Sequence, residues 1–218
     1  DLLGIKRGIV ALTKSDLVEP DWVELVTLDI QETLAGTSLD DAPVFPVSAL
    51  TGVGLEELLK AIDSALDEMP DKRDLGRPRL PVDRSFTISG FGTVVTGTLV
   101  DGTLRVGQEV ELLPGGLKAR IRGLQTHQAA EDLAFPGTRV AVNLGGVSHD
   151  EVSRGDVLTT PGWLSAGDAI DVSLRLIPEA PRSIRHNATV TFHVGAAETP
   201  ARIRLLAVDQ MAPGDTSF

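Results

Sequence analysis

The sequence of 218 residues contains no cysteine and no tyrosine, and it has only two tryptophans and two methionines. The absence of cysteine excludes disulfides, thiolate nucleophiles and cysteine-based zinc sites, and it fits a reducing compartment. No apolar run approaches the ~20 residues that a helix needs to cross a bilayer. No signal-peptide pattern is present either. We therefore predict a cytoplasmic protein without a membrane partner.

Basic residues are also scarce, with 20 Lys and Arg against 31 Asp and Glu, which gives a formal net charge of −11. This balance argues against a broad basic surface for DNA or membranes. It does not exclude RNA, because a local cluster of arginines binds phosphate even on an acidic protein. The hydrophobic fraction of 42% is sufficient for a buried core, so disorder is not expected.

The first third of the chain alternates strand and helix patterns. The apolar run Gly8–Leu12 predicts a strand buried on both faces, and residues 44–47 predict a second strand. Apolar residues recur at spacings of three and four within residues 23–34 and again within residues 55–66, which predicts two amphipathic helices. This alternation predicts a parallel sheet with helices packed on it.

The rest of the chain has a β pattern. A charged stretch with two prolines separates it from the first part and is typical of a linker. We predict an α/β domain at 1–69, a linker at 70–79, a closed β-barrel at 80–162 and a second, partial β-barrel at 163–218. The predicted strands are 86–88, 93–100, 109–113, 120–122, 140–144 and 156–159 in the first barrel, and 170–176, 189–194 and 203–206 in the second.

The first candidate site is Thr13-Lys14-Ser15-Asp16, directly after the first strand. Residues at the carboxyl end of a parallel strand face the crevice where α/β sheets bind ligands. The Asp16 carboxylate can accept hydrogen bonds from both N1–H and the N2 amino group of guanine, a donor pair that adenine lacks. The aliphatic stem of Lys14 can lie along the base. Alone, the motif predicts no more than a turn after a strand.

The second candidate site is Ser48-Ala49-Leu50, directly after the second strand. A tight loop of small residues can aim backbone N–H groups at guanine O6, where adenine carries an amino group. The alternative is a capping loop for the helix that begins near Gly54, with Ser48 or Thr51 as the capping hydroxyl.

Together the two motifs resemble the Asn/Thr-Lys-x-Asp and Ser-Ala-x motifs of GTP-binding proteins, in the same order and separated by one helix. The resemblance implies that guanine is read by Thr13, Lys14, Asp16, Ser48, Ala49 and Leu50. Thr13 stands where asparagine is commoner, so a hydroxyl would only partly replace the hydrogen bonds of the amide that brace the loop.

The run from Phe86 to Thr98 resembles the start of the barrel that follows the G domain in translational GTPases such as elongation factor Tu. The resemblance implies the C-terminal half of a P-loop GTPase G domain, a translation-factor β-barrel and a second, partial barrel.

Two arginines distinguish this barrel from the Tu-like pattern. In Asp83-Arg84-Ser85-Phe86, Arg84 replaces the second of two acids that precede a pocket phenylalanine, and Arg139 stands where the pattern has asparagine. A selenol is much more acidic than a thiol or hydroxyl, so two guanidiniums would favour an anionic selenocysteine. This combination resembles the family of selenocysteine-specific elongation factors.

The resemblance implies an aminoacyl pocket formed by Asp83, Arg84, Phe86 and Arg139, with Asp83 accepting from the esterified amino group. The alternative is that Arg84 and Arg139 are surface arginines paired with nearby acids.

The family resemblance also implies partners and cofactors. The partners would be selenocysteinyl-tRNA and the ribosome, with an mRNA hairpin read only by a C-terminal region that is missing here, and no DNA. The parent protein would bind GTP or GDP and hold Mg²⁺ in its N-terminal part. This sequence has no Gly-x-x-x-x-Gly-Lys-Ser/Thr run.

We therefore expect a fragment of a longer GTPase, without catalytic residues, metal site, required cofactor or GTPase activity of its own. The alternatives are a Tu-like factor for ordinary aminoacyl-tRNA and a non-catalytic RNA-binding barrel module.

Overall fold

The structure, a computed structural model, describes residue 5 and residues 7–69 and 74–217. It divides into two compact units, residues 1–71 and residues 72–218. The finer predicted boundaries, at 69/70, 79/80 and 162/163, stay predictions. The predicted linker at 70–79 lies partly outside the described residues, as do the ends of the first and last predicted domains.

The first unit contains the predicted alternation of strands and helices. Its elements are β1 (Val10–Leu12), α1 (Pro20–Leu34), β2 (Val44–Pro46) and α2 (Leu55–Asp67). The two strands are parallel, with Val10 opposite Val44 and Leu12 opposite Pro46. Pro20 occupies the first turn of α1, where its missing N–H costs no hydrogen bond.

The sheet of this unit is less buried than predicted. The expected strand Gly8–Leu12 is only three residues long, and its side chains are half-buried or exposed. The physical reason is that the described residues supply one neighbouring strand and two helices, which do not enclose both faces. In this unit only Val47 and Ser48, directly after β2, are fully buried among the described residues.

The second unit begins with a closed β-barrel. Six strands form the ring in the order β10-β4-β3-β11-β6-β7, and a pairing between β7 and β10 closes it. The bounds are β3 (Arg79–Ile88), β4 (Gly92–Thr98), β5 (Leu104–Arg105), β6 (Glu109–Leu113), β7 (Leu117–Thr126), β8 (Ala129–Glu131), β9 (Leu133–Ala134), β10 (Arg139–Gly145) and β11 (Val157–Thr159). β8 extends the sheet beyond β7, and β5 pairs with β9.

Alternation along the strands fills the barrel with aliphatic side chains. Leu80, Val82 and Val95 are completely buried, whereas Arg84 and Thr98 on the same strands are exposed. Burying a leucine or valine side chain contributes about 1.5–3 kcal/mol relative to leaving it in water. The core also includes Leu99, Leu104, Val110, Leu112, Ile121, Leu124, Val140, Val142, Leu144 and Leu158.

The last part of the chain forms three two-stranded ladders, β12–β17, β13–β16 and β14–β15. Their bounds are β12 (Leu174–Arg175), β13 (Ile184–Arg185), β14 (Thr189–Val194), β15 (Ala197–Arg202), β16 (Gln210–Met211) and β17 (Thr216–Ser217). The predicted strand at 189–194 is confirmed. The prediction at 170–176 is wrong except at 174–175, because β12 finds a partner only in the two residues of β17.

The predicted strand at 203–206 is also wrong, because a two-residue connection after β14 places its partner strand at 197–202. Among the residues described, the longest helix has 15 residues, and none is long and apolar enough to span a bilayer.

Candidate functional site

Backbone hydrogen bonds join the two predicted guanine-reading loops. The N–H of Val47 donates to the carbonyl of Leu12 at 2.8 Å, and the N–H of Ser15 donates to the carbonyl of Val47 at 3.2 Å. The loops after β1 and β2 therefore leave the sheet side by side, at the edge where the carboxyl ends of parallel strands meet.

The Thr13–Asp16 loop presents two side chains without protein partners. Lys14 adopts the left-handed conformation (φ 62°, ψ 33°) before a 3₁₀ turn at Ser15–Leu17, which costs a non-glycine residue on the order of 1 kcal/mol. Lys14 and Asp16 are exposed. Among the described residues, neither side chain has a hydrogen bond or ion pair. The Thr13 hydroxyl makes no bracing bond there either, so backbone contacts brace the loop.

The Ser48–Leu50 loop combines a buried anchor with free backbone donors. Ser48 is completely buried, and its Oγ accepts a hydrogen bond from the Thr51 N–H at 3.1 Å. This contact lies within the loop and does not cap α2, whose N-cap is Gly54 and has no side-chain hydrogen bond, so the alternative role of Ser48 or Thr51 as the capping hydroxyl is wrong. Within the described part of the chain, the N–H groups of Ala49 and Leu50 donate to no protein acceptor, and the Leu50 side chain is 85% exposed. The loop can therefore offer these N–H groups to a base carbonyl.

Gly54 permits the close approach of this loop to β2. It has φ +74°, and a Cβ at this position would lie 2.1 Å from the carbonyl oxygen of Pro46. Only glycine fits both the backbone conformation and the space.

The predicted aminoacyl-pocket residues share the outer face of three neighbouring barrel strands. Arg84 on β3 lies opposite Thr96 on β4, and Thr96 lies opposite Ala141 on β10. Phe86 lies opposite Val94 one row further along β3, and Arg139 lies opposite Thr98. Because directly opposed residues of antiparallel strands point to the same face, the structure brings Arg84, Phe86 and Arg139 to one surface.

A β-bulge adds Asp83 to this surface. The register between β3 and β4 shifts between Val82 and Arg84, which leaves Asp83 as the extra residue. Bulges of this kind redirect a side chain. Asp83 accepts two hydrogen bonds from the guanidinium of Arg139, from Nη1 to Oδ2 and from Nη2 to Oδ1, the second at 3.0 Å. The Thr96 hydroxyl donates a third hydrogen bond to Oδ1 at 2.7 Å.

Electrostatics at the bulge favour an ionised Asp83. Burial, the largest influence, acts to raise the pKa of Asp83, but the hydrogen bonds from Arg139 and Thr96 and the charges of Arg139 and Arg84 lower this pKa below its ordinary value of 3.8. Asp83 in turn raises the pKa of Arg139. Two arginines and one aspartate (+2 − 1) therefore give the site a formal net charge of +1.

The structure distinguishes two arginines that the sequence analysis treats as alike. Arg139 is held by Asp83 in a bidentate ion pair, whereas no hydrogen bond or ion pair holds Arg84 among the residues described. Asp83, which is predicted to accept from the esterified amino group, also accepts from Arg139 and Thr96. The roles assigned to these residues stay predictions.

Thr96 was missed by the sequence analysis. Thr96 follows the buried Val95 on β4, so alternation along the strand predicts that the Thr96 side chain points outward. The bulge that brings Asp83 next to Thr96 could not be predicted from the sequence. No group of three or more His, Asp or Glu side chains that could hold a metal ion occurs in the described part of the chain.

The chain is similar to known proteins over nearly its whole length. A family model described as elongation factor Tu domain 2 matches residues 92–159. The chain is 45% identical over 216 residues to a selenocysteine-specific elongation factor of Desulfomicrobium baculatum, a match that covers 99% of this chain and 34% of the relative. The chain belongs to the family of selenocysteine-specific elongation factors. It spans about a third of the length of that curated relative.

Solved structures of this elongation factor family resemble the chain across both units. The apo form of translation elongation factor SelB from Methanococcus maripaludis matches with a TM-score of 0.77 and 25% identity, over 96% of this chain and 47% of that chain. The same factor in complex with the GTP analogue GppNHp matches with a TM-score of 0.70 and 27% identity, over 89% of this chain and 44% of that chain.

Proposed function

We propose that this chain is the guanine-reading and aminoacyl-end-binding part of a GTP-dependent elongation factor that delivers selenocysteinyl-tRNA to the ribosome. The observation that carries the proposal is the surface formed by Asp83, Arg84, Phe86 and Arg139, which has a net charge of +1. An anionic selenolate is attracted to such a surface, whereas a neutral serine hydroxyl gains far less.

The two cationic groups have different tasks in this proposal. Arg139 is held by Asp83, whose Oδ1 also accepts from the Thr96 hydroxyl, so it is a preorganised donor that loses little freedom when cargo binds. Arg84 has no hydrogen bond or ion pair among the described residues, although its charge acts on Asp83, and it is the guanidinium that pairs with the selenolate. Phe86 is 39% exposed and offers an apolar surface to the cargo side chain.

The first unit supplies guanine recognition. The exposed Asp16 carboxylate accepts from N1–H and the N2 amino group, and the free N–H groups of Ala49 and Leu50 donate to O6. These residues fit the base of GTP or GDP. The triphosphate and its Mg²⁺ are held outside these 218 residues, since the P-loop sequence is absent. Bound GTP supplies the hydrolysis that releases aminoacyl-tRNA.

The experiment compares binding of selenocysteinyl-tRNA with binding of seryl-tRNA on the same tRNA body. The wild-type chain is expected to prefer the selenocysteinyl form. Arg84→Ala removes a charge-assisted contact of about 1.5–3 kcal/mol, so the preference drops by about 10- to 150-fold. Arg139→Ala gives a loss in the same direction.

The matched control is Arg105→Ala, an exposed arginine on β5, outside the six-strand ring. It leaves the preference unchanged. Equal preference in wild type and Arg84→Ala would overturn the selenocysteine assignment. It would favour a factor for ordinary aminoacyl-tRNA, to which the match with elongation factor Tu domain 2 also points.

A further inference from the structure

A second bulge places an arginine on the outer face of the barrel, outside the surface formed by Asp83, Arg84, Phe86 and Arg139. β7 pairs with β10 through Asn143–Gly123 and then Leu144–Ile121, which leaves Arg122 as the extra residue of β7. Its neighbour Ile121 lies in the core, and Arg122 itself is exposed. As with Asp83, the bulge directs one charged side chain outward.

A glycine leaves room for this guanidinium. A Cβ built on Gly145 would lie 2.3 Å from Nε and 2.9 Å from Cζ of Arg122, so the Arg122 side chain lies flat against the backbone of β10. Within the described residues, Arg122 has no hydrogen bond or ion pair, whereas Arg120 two positions earlier is paired with Glu109 at 3.2 Å. The Arg122 guanidinium is therefore held against the β10 backbone with no acceptor among the described residues.

The distance between Arg122 and the cargo surface, the surface formed by Asp83, Arg84, Phe86 and Arg139, indicates what Arg122 contacts. Arg122 lies level with the step from Asn143 to Leu144, four to five residues along β10 from Arg139, which is about 15 Å at roughly 3.3 Å per residue. This is farther than an amino acid extends from its ester bond. A ligand group that reaches Arg122 therefore belongs to the nucleotides that carry the amino acid.

We propose that Arg122 binds a backbone phosphate near the 3′ end of the tRNA. The inference rests on the proposed function, because it requires the aminoacyl end to lie on the same outer face. A planar guanidinium with free donors suits the oxygens of a phosphodiester. The contact is independent of which amino acid is attached, so it supplies affinity and the arginines of the cargo surface supply selectivity.

The test uses a tRNA acceptor minihelix that ends in CCA. One form carries no amino acid, and the other carries selenocysteine in a stable amide linkage. Arg122→Gln is expected to weaken binding of both forms by about 10-fold, the effect of losing one charge-assisted hydrogen bond of about 1.5 kcal/mol. It also reduces the slope of log affinity against log salt by about 0.7, the value for one phosphate on a single strand. Arg120→Gln, whose charge is already paired, is the matched control and changes neither quantity.

Two further variants separate the possible outcomes. Gly145→Ala displaces the Arg122 side chain and weakens binding, but it has no further effect when combined with Arg122→Gln. Arg84→Ala weakens binding only of the minihelix that carries selenocysteine. If Arg122→Gln behaves like Arg120→Gln while Arg84→Ala retains its effect, the phosphate contact is refuted and the proposed function stands. If the wild-type chain binds neither RNA, both are refuted.

Discussion

At the scale of single residues, Gly54 determines whether the loop between β2 and α2 can form. Its φ of +74°, and the Pro46 carbonyl oxygen 2.1 Å from where a Cβ would lie, leave no space for a side chain. Gly54→Ala is therefore expected to destabilise the first unit by at least about 2 kcal/mol, of which roughly 1 kcal/mol is the left-handed backbone. Urea unfolding followed by Trp22 fluorescence in a Trp163→Phe background measures this.

The control is Gly52→Ala, at φ +80° with no atom within 4 Å of its added methyl group. It carries the backbone cost alone, so it is expected to be about half as destabilising. Equal losses at the two positions would show that the contact with Pro46 does not matter.

At the scale of elements, two carboxylates fasten the segment that enters β3. Asp101 Oδ1 accepts from the Leu75 N–H at 2.8 Å, and Asp74 Oδ1 accepts from the Gly102 N–H at 3.0 Å. Burial acts to raise the pKa of Asp101, but its hydrogen bonds lower this pKa overall from 3.8.

Asp101→Leu removes the acceptor and is expected to lower the Tm of the barrel more than Asp101→Asn, which keeps an acceptor oxygen. Trp163 reports on this transition, because Arg77 of the same segment stacks 5.3 Å from its ring centre.

The sign of the pH dependence follows from the lowered pKa. A carboxylate with a depressed pKa stabilises the fold above about 3.8 and loses this contribution as the pH falls through its folded value. The Tm difference between wild type and Asp101→Asn should therefore shrink in acid. A difference that grows as the pH falls would show that the Asp101 carboxylate does not stabilise this segment through its charge.

The elements also show what the sequence could and could not predict. Helices α1 and α2 and strands β6 and β14 follow from periodicity, because each has a clear apolar face. The last ladders do not, since two-residue pairings such as β12–β17 depend on where a distant partner lies. The candidate site residues are predicted from motifs, but the bulge that turns Asp83 toward Arg139 depends on cross-strand register, which the sequence of one strand does not specify.

At the scale of the whole molecule, the proposal assigns recognition of the guanine base to a sequence that contains no P-loop motif. The chain is expected to bind GDP more tightly than ADP, and Asp16→Ala is expected to remove this preference, because the acceptor for N1–H and the N2 amino group is lost. Calorimetric titration of both nucleotides measures it. GTP turnover is expected to be absent. Steady turnover that disappears with Asp16→Asn would contradict the assignment of phosphate binding to sequence outside this chain.

The selenocysteine assignment depends on one proposal, that the surface formed by Asp83, Arg84, Phe86 and Arg139 recognises negative charge on the cargo. It is tested by the ratio of selenocysteinyl-tRNA to seryl-tRNA affinity as a function of pH. Asp83 stays ionised well below neutrality because its pKa is lowered from 3.8, and Asp83 raises the pKa of Arg139, so this ion pair does not titrate between about pH 5 and 8. The ratio is therefore expected to fall toward one as the selenol becomes protonated. A ratio that stays constant through that titration would refute charge recognition.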